Sequence, residues 1–348
     1  MRGSRRMCIT TDGIRSENID LNQPSLTPTR YFHVYDTAIR NTVPMTEIAK
    51  AVFDTTNELG RLLHDRSIDD LNDEEFATAI TIIRSLGTCQ DWIASTSSIL
   101  SKIISSKEPT ARIAAANLLA KLKNEDEQPL ISVVSSAAIS DDLFCRRLAA
   151  ETMGYLEAEG GAMLPIALRD ADEKVRHFGL MAVQRLGPQA VPAVHAIVEI
   201  LCQEHGPDTD EIPQHYFRMD CCDAMRAIGH GAKQAVPHLL SIVAQQFSDD
   251  EHRWLQLRAA HALFAITDNP DKSIEVALAT LVDSSRILVM PEDLNYWLPC
   301  LACDLLAELG PSAKAAIPRL RQVLHEERNQ HTRTALQKAI LKIEERNQ

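Results

Sequence analysis

The sequence predicts an all-α fold made of about eight stacked helical pairs. Three observations carry that reading. Apolar residues recur with a period of 3.6 from Thr46 almost to the carboxyl terminus. An eleven-residue frame returns several times without gaps. Composition agrees, with 45% hydrophobic residues but only 5% aromatics and 13 glycines, the profile of Ala/Leu-based helices rather than of sheets.

The frame is written out by "RIAAANLLAKL" (Arg112–Leu122), "RRLAAETMGYL" (Arg146–Leu156), "RHFGLMAVQRL" (Arg176–Leu186) and "RMDCCDAMRAI" (Arg218–Ile228). "LRAAHALFAIT" (Leu257–Thr267) and "PCLACDLLAEL" (Pro299–Leu309) keep it without the leading arginine. The residues just past the frame are 123, 157, 187, 229, 268 and 310, and "IRSLG" adds an earlier stop at Gly87. Eight residues before each of the six stops stands Ala115, Ala149, Gly179, Cys221, Ala260 or Ala302, all small enough for a neighbouring helix to come close. Four residues before it stands Leu119, Met153, Val183, Met225, Phe264 or Leu306, all apolar. These offsets trace one buried stripe on a helix.

Each frame helix is the second of a pair, and the chain after its stop opens the first helix of the next pair. Glycine at the stop allows the left-handed residue that ends a helix. Pro165, Pro192, Pro237 and Pro318 come within the next segment, where a proline starts a helix or bends it. An acid lies four residues before the arginine in Glu108/Arg112, Asp142/Arg146 and Asp172/Arg176, placing negative charge at the second helix's amino end and a guanidinium within reach. In later repeats Gln214 replaces the acid and Leu257 and Pro299 replace the arginine.

"DADEKVRHFGLMAVQRLGPQAVPAV" resembles the HEAT-repeat pattern of acidic turn, Val-Arg, spaced Ala/Leu and Leu-Gly. The likeness extends over roughly residues 47–346. It implies a right-handed α–α superhelix over residues 45–348, with second helices lining a concave face and a stacked Asp–Arg ladder. The short 30-residue step between stops 157 and 187 is also similar to the HEAT-like repeats of bilin lyases. A repeat specifies a fold far better than a function.

Residues 1–44 lack helical periodicity, are rich in Ser, Thr, Asn, Asp and Pro, and are expected to form a flexible tail. "RYFHVYDTAI" (Arg30–Ile39) is the one stretch in it that could dock on the body. The basic start has no apolar run after it, so it does not read as a secretory signal; translation could begin at Met1 or Met7. No window is long and apolar enough to span a bilayer. Net charge is −12; residues 1–46 hold six Arg against four acids, which leaves about −14 on the remainder. Such a body repels phosphate backbones, so nucleic acid is not the expected partner. Eight cysteines scattered through helical patterns read as reduced thiols of a cytoplasmic protein.

Departures from a repeat are where function is expected. "EHGPDTDEIPQHYF" (Glu204–Phe217) and "DSSRILVMPEDLNYW" (Asp283–Trp297) lengthen the turns inside two pairs and should emerge on one edge. The second loop carries an apolar run that includes Leu288 and Met290. Aromatics gather at the same helix ends: Tyr216, Phe217, Trp254, Tyr296 and Trp297. These seven residues are the candidate partner-binding set, either anchors for a protein or peptide or packing beneath the loops. Cys221, Cys222 and Cys303 occupy columns otherwise filled mainly by small core residues, so no metal site is expected. HEAT-like di-iron hydroxylases need repeated His-Glu motifs, and the one His-Glu dipeptide here is His325-Glu326. HEAT-like DNA glycosylases need a cationic face. No GxSxG, P-loop or dinucleotide fingerprint occurs. The expected function is therefore a non-catalytic scaffold or adaptor, without cofactor, that binds protein on its concave face and one loop edge. The alternative, through repeat similarity, is a bilin lyase-like enzyme or its partner subunit.

Overall fold

The computed structural model describes residues 6–10, 13–17, 59–63, 66–86, 97–122, 127–203, 214–245, 250–284, 297–327 and 329–345. The chain divides into two compact units, Met1–Asp54 and Thr55–Gln348. In the first unit, β1 (Arg6–Thr10) and β2 (Gly13–Glu17) form an antiparallel hairpin in which Cys8 lies opposite Arg15. The residue pattern predicts no strand there. The expected boundary near residue 45 and the segment Arg30–Ile39 lie outside the described residues.

The second unit is an all-α superhelix. Helix α1 (Asp73–Leu86) is followed by seven pairs: α2 (Ser97–Ile103) with α3 (Pro109–Leu122), α4 (Glu127–Ala138) with α5 (Leu143–Met153), α6 (Glu157–Leu168) with α7 (Glu173–Leu186), α8 (Val194–Cys202) with α9 (Gln214–Ile228), α10 (Val236–Ala244) with α11 (Asp250–Thr267), α12 (Asp271–Ser284) with α13 (Trp297–Leu309), and α14 (Ile317–Glu326) with α15 (Gln330–Glu345). Each second helix packs on the first helix of its pair and on the second helices before and after it. A continuous core results although no module could bury its own apolar side.

The predicted columns are where the helices meet. Ala115, Ala149, Cys221, Ala260 and Ala302 are each 0% exposed. Gly179 shows why this column is small: a Cβ there would stand 3.1 Å from Leu168 Cδ2 and 3.4 Å from Ala167 Cβ, both on α6. Leu119, Met153, Val183, Met225 and Leu306 fill the space beside it, all at or below 1% exposure. The frame also continues into α15, where Arg333, Ile340 and Ile343 occupy the arginine, apolar and last positions.

The stops hold their register. Gly187, Gly229 and Gly310 have φ of 57°, 67° and 55°, and Glu157 and Asp268, which end two of the other three frames, have φ of 36° and 57°; the stop at 123 lies outside the described residues. After the glycine stops the chain departs from the expected immediate α-helix. A seven-residue 3-10 turn comes first, at Gly187–Ala193, Gly229–Ala235 and Gly310–Ala316. Alanine recurs at its third and sixth steps as Ala190 and Ala193, Ala232 and Ala235, and Ala313 and Ala316, every one 0% exposed. A 3-10 helix stacks residues three apart on one line, so this spacing gives it a narrow buried edge. Pro237 and Pro318 then sit at the first positions of α10 and α14, where a missing N–H costs nothing, and Pro165 lies inside α6.

The acid and the arginine of each repeat have separate duties. Asp142 accepts from Phe144 N at 2.7 Å and Asp172 from Val175 N at 3.0 Å, so each caps its own helix. Arg146 donates to Ser140 O (2.9 Å) and Asp141 O (3.1 Å), and Arg176 to Asp170 O (2.9 Å) and Ala171 O (3.0 Å). Arg112 reaches Ile104 O and Arg333 reaches Leu324 O, so the arginine column satisfies carbonyls left over at the end of the first helix and in the turn after it. The ladder runs between repeats: Arg146 Nε meets Asp170 at 2.8 Å, and Arg147 grips Asp172 at 2.9 and 2.7 Å.

Replacing Gly310 by Ala should lower stability by about 1–2 kcal/mol, the cost of a Cβ in the left-handed region. Ser312→Ala, at an exposed position in the same turn, should stay within about 0.5 kcal/mol of wild type. Thermal unfolding followed by far-ultraviolet circular dichroism checks both; equal melting of the two variants would remove the glycine stop as a determinant.

Candidate functional site

The small column of α7 faces α6, so residues about half a turn away lie on the opposite side of the second-helix layer. On α5 this free face carries Phe144, Leu148, Glu151 and Tyr155; on α7 it carries Lys174, Phe178, Met181 and Arg185. Met181 is 37% exposed, and Phe144, Leu148, Tyr155 and Phe178 are half-buried. Two adjoining helices thus present a largely apolar strip where a solvated face would be polar.

Charge frames this strip. Lys121 Nζ of α3 lies 3.0 Å from Glu151 and 5.6 Å from the Tyr155 ring centroid. Arg185 stacks on the other helix's tyrosine, its guanidinium carbon 4.1 Å from the same centroid. Cations over a ring face are attracted by its quadrupole, so Tyr155 is held in place by both. Below the strip, Asn117 Nδ2 donates to Thr152 Oγ1 at 2.9 Å in the buried interface between α3 and α5.

At α11 the free face closes. Ala259, Ala262 and Ile266 of α11 occupy its columns, and all are 0% exposed. Arg226 of α9 comes within 3.9 Å of Glu308 of α13, spanning the intervening α11. His261 of α11 also hydrogen-bonds Glu308 and holds that carboxyl below its usual range. Arg258 adds a link to Asp223, 2.7 Å away on α9. The superhelix is wound tightly enough here that three successive second helices share one carboxylate.

The residues singled out from the sequence are spread over several helices. Phe217 on α9 is 4% exposed, with an edge contact to His177 at 6.1 Å between centroids and the Arg176 guanidinium 5.6 Å above it. Trp254 on α11 is half-buried against the carboxyl-terminal core that includes Leu257 and Leu298. Tyr216 and Trp297 lie within α9 and α13, their side chains outside the described set, and Leu288, Met290 and Tyr296 are outside the described residues. The strip on α5 and α7 was not anticipated. Its signal was present: the columns two and five residues after the arginine hold Leu148 and Glu151 on α5, and Phe178 and Met181 on α7, off the buried stripe.

Of the described cysteines, Cys145, Cys221, Cys222 and Cys303 are buried, Cys300 is half-buried and Cys202 is exposed; all are free thiols. Burial pushes the Cys221 and Cys303 thiols well up. Among the described residues no group of three or more His, Cys, Asp or Glu is placed to hold a metal ion, and no helix is long and apolar enough to cross a membrane.

No family model matches the chain, and no curated protein matches it in sequence. Similar solved structures include a crystal structure of an engineered protein, at 18% identity and a TM-score of 0.47, covering 82% of this chain and 77% of that one. Another is the complex of CpcE and CpcF of phycocyanin lyase from Nostoc sp. PCC7120, at 19% identity and a TM-score of 0.43, covering 71% of this chain and 94% of that one. The likeness to HEAT repeats therefore rests on the repeated residues themselves.

Asp172 supplies a pH test of the inter-repeat ladder. The Arg147 guanidinium, and after it the Val175 amide, hold its carboxyl below the ordinary range. A carboxylate lowered in the folded state stabilises above its unfolded pKa of about 3.9 and loses that contribution as pH falls through the folded value. Arg147→Met should thus cost about 1 kcal/mol at pH 7, and the gap to wild type should narrow below pH 4. Urea midpoints at pH 7 and pH 3 measure it; a gap independent of pH would mean the arginine acts through packing alone.

Proposed function

We propose that this chain is a non-catalytic protein-binding scaffold of HEAT-like build, cytoplasmic in keeping with its reduced thiols. It holds a peptide segment of a protein partner across the free face of α5 and α7. Tyr216, Trp254, Leu288, Met290, Tyr296 and Trp297 make up a second candidate contact set, from which the buried Phe217 drops out. The observation that carries the reading is the apolar strip itself, with Met181 37% exposed beside Phe178, Leu148 and Tyr155. Contiguous apolar surface on a folded protein costs solubility and is kept where something covers it. Anchoring side chains in such a strip, ringed by polar groups, are the usual source of binding energy. Lys121, Lys174 and Arg185 at its margin favour a segment with acidic residues next to its apolar anchors. The acidic body argues against nucleic acid.

The test is site-specific photo-crosslinking with a benzophenone residue at 181 and, as control, at 240, where Leu240 is 42% exposed on the first-helix layer. A discrete protein adduct at 181 and not at 240 is the expected result. With that partner purified, Met181→Glu should weaken binding about tenfold or more while the melting temperature is unchanged. Equal adducts at both positions, or a Met181→Glu variant that binds normally, would overturn the assignment of this face.

A further inference from the structure

An open groove of about 640 Å³ lies between the carboxyl ends of α6 and α8, lined by residues that include Leu168, Arg169, Arg176, Glu199, Cys202 and Gln203. Cys202 is the exposed thiol among the cysteines whose side chains are described. From the next first helix, α10, His238 brings Nδ1 to 3.1 Å from Cys202 Sγ. The neighbouring charges are already engaged. Arg169 bonds Glu199 at 2.8 Å, His195 lies 3.1 Å from the same Glu199, Arg176 donates to the carbonyls of Asp170 and Ala171, and Asp170 binds Arg146. The imidazole of His238 is thus the base placed at the sulfur.

The geometry points to Cys202 and His238 as a nucleophilic thiol pair whose substrate is a hydroperoxide that enters this groove. Cys202 is the last residue of α8. A thiol attacks once its proton is taken by a base, and His238 Nδ1 is within hydrogen-bond reach of the sulfur. The Sγ–H proton passes to Nδ1, sulfur attacks the terminal peroxide oxygen, an S–O bond forms and the O–O bond breaks. The departing hydroxide or alkoxide takes the proton from the imidazolium and leaves as water or alcohol. Sulfur is oxidised by two electrons to the sulfenic acid and the peroxide is reduced by two. Of the donors in the lining, Arg169 is held by Glu199, which leaves Gln203 and the Arg176 Nε, buried without a hydrogen-bond partner, to meet an oxygen-rich ligand. This reading is independent of the protein-binding face, which lies on the other helical layer.

The experiment uses the reduced full chain with hydrogen peroxide, trapping sulfenic acid with dimedone and assigning adducts by peptide mass spectrometry. Expected is an adduct at Cys202 that forms about a hundredfold or more faster than in His238→Ala, the lower end of what a positioned base contributes. His238→Gln, whose amide cannot accept the proton, should lose as much; circular dichroism verifies the fold of each variant. Cys202→Ser should remove the fast phase of dimedone uptake. The proposal is overturned if Cys202 gains its adduct at the same rate in both His238 variants, or if another cysteine reacts first in wild type.

Discussion

The close approach of neighbouring helices through one column of small side chains is the constraint on which the rest of this structure depends. Ala115, Ala149, Gly179, Cys221, Ala260 and Ala302 stand at the same offset in six repeats, and none reaches solvent. A larger residue would push its helix away from the one it packs on, as the 3.1 Å separation between a notional Gly179 Cβ and Leu168 shows. Interiors of native density have no slack to absorb that. Because each helix must meet several neighbours, a displacement in one repeat would pass to the next. Through these six repeats the column is therefore under a stricter limit than the apolar column four residues on, where Leu, Met, Val and Phe interchange; α15, the last helix, takes Leu336 at this offset.

The backbone devices between repeats serve this same approach. A residue of positive φ ends every described frame that has a stop, and a 3-10 turn with buried alanines three apart comes after Gly187, Gly229 and Gly310. The turn lets the chain reverse with its backbone against the neighbouring layer. Gly161 marks how near this comes, since a Cβ there would lie 2.2 Å from Gln189 O of the following turn. Carbonyls freed at the ends of first helices and in the turns cannot all reach water, and the arginine column supplies donors for them.

Much of the fold could be read from the chain, because a repeat displays each structural demand several times over. The columns, the stops and the two-layer pairing came from offsets that recur. The 3-10 turns did not, although Ala190/Ala193, Ala232/Ala235 and Ala313/Ala316 share one spacing. Their period of three was hidden inside an expected period of 3.6. The acid–arginine pair was legible as residues but not as partners. Cys202 and His238 are 36 residues apart on surface positions that no column constrains, so only the packing of successive repeats brings them together. The apolar strip was obscured differently: rare aromatics at the long loops drew attention to α9, α11 and α13, whereas Phe144, Tyr155 and Phe178 lay within ordinary frames.

Access to solvent differs along the second-helix face. On α5 and α7, where Lys121 reaches Glu151 and Arg147 reaches Asp172 across neighbouring repeats, the second helices leave a partly apolar stripe at the surface, whereas the equivalent Ala114 and Asn117 of α3 are buried. From α9 to α13 adjacent helices are bridged by Arg258 to Asp223 and by His261 to Glu308, Arg226 in addition reaches past α11 to Glu308, and the intervening face of α11 shrinks to Ala259, Ala262 and Ile266. A residue with no access to solvent or ligand can only be filler, and small or aliphatic side chains are what such a place accepts. Side-chain size on this face thus follows access to solvent: small or aliphatic at the buried positions of α3 and α11, large and aromatic at the half-exposed positions of α5 and α7.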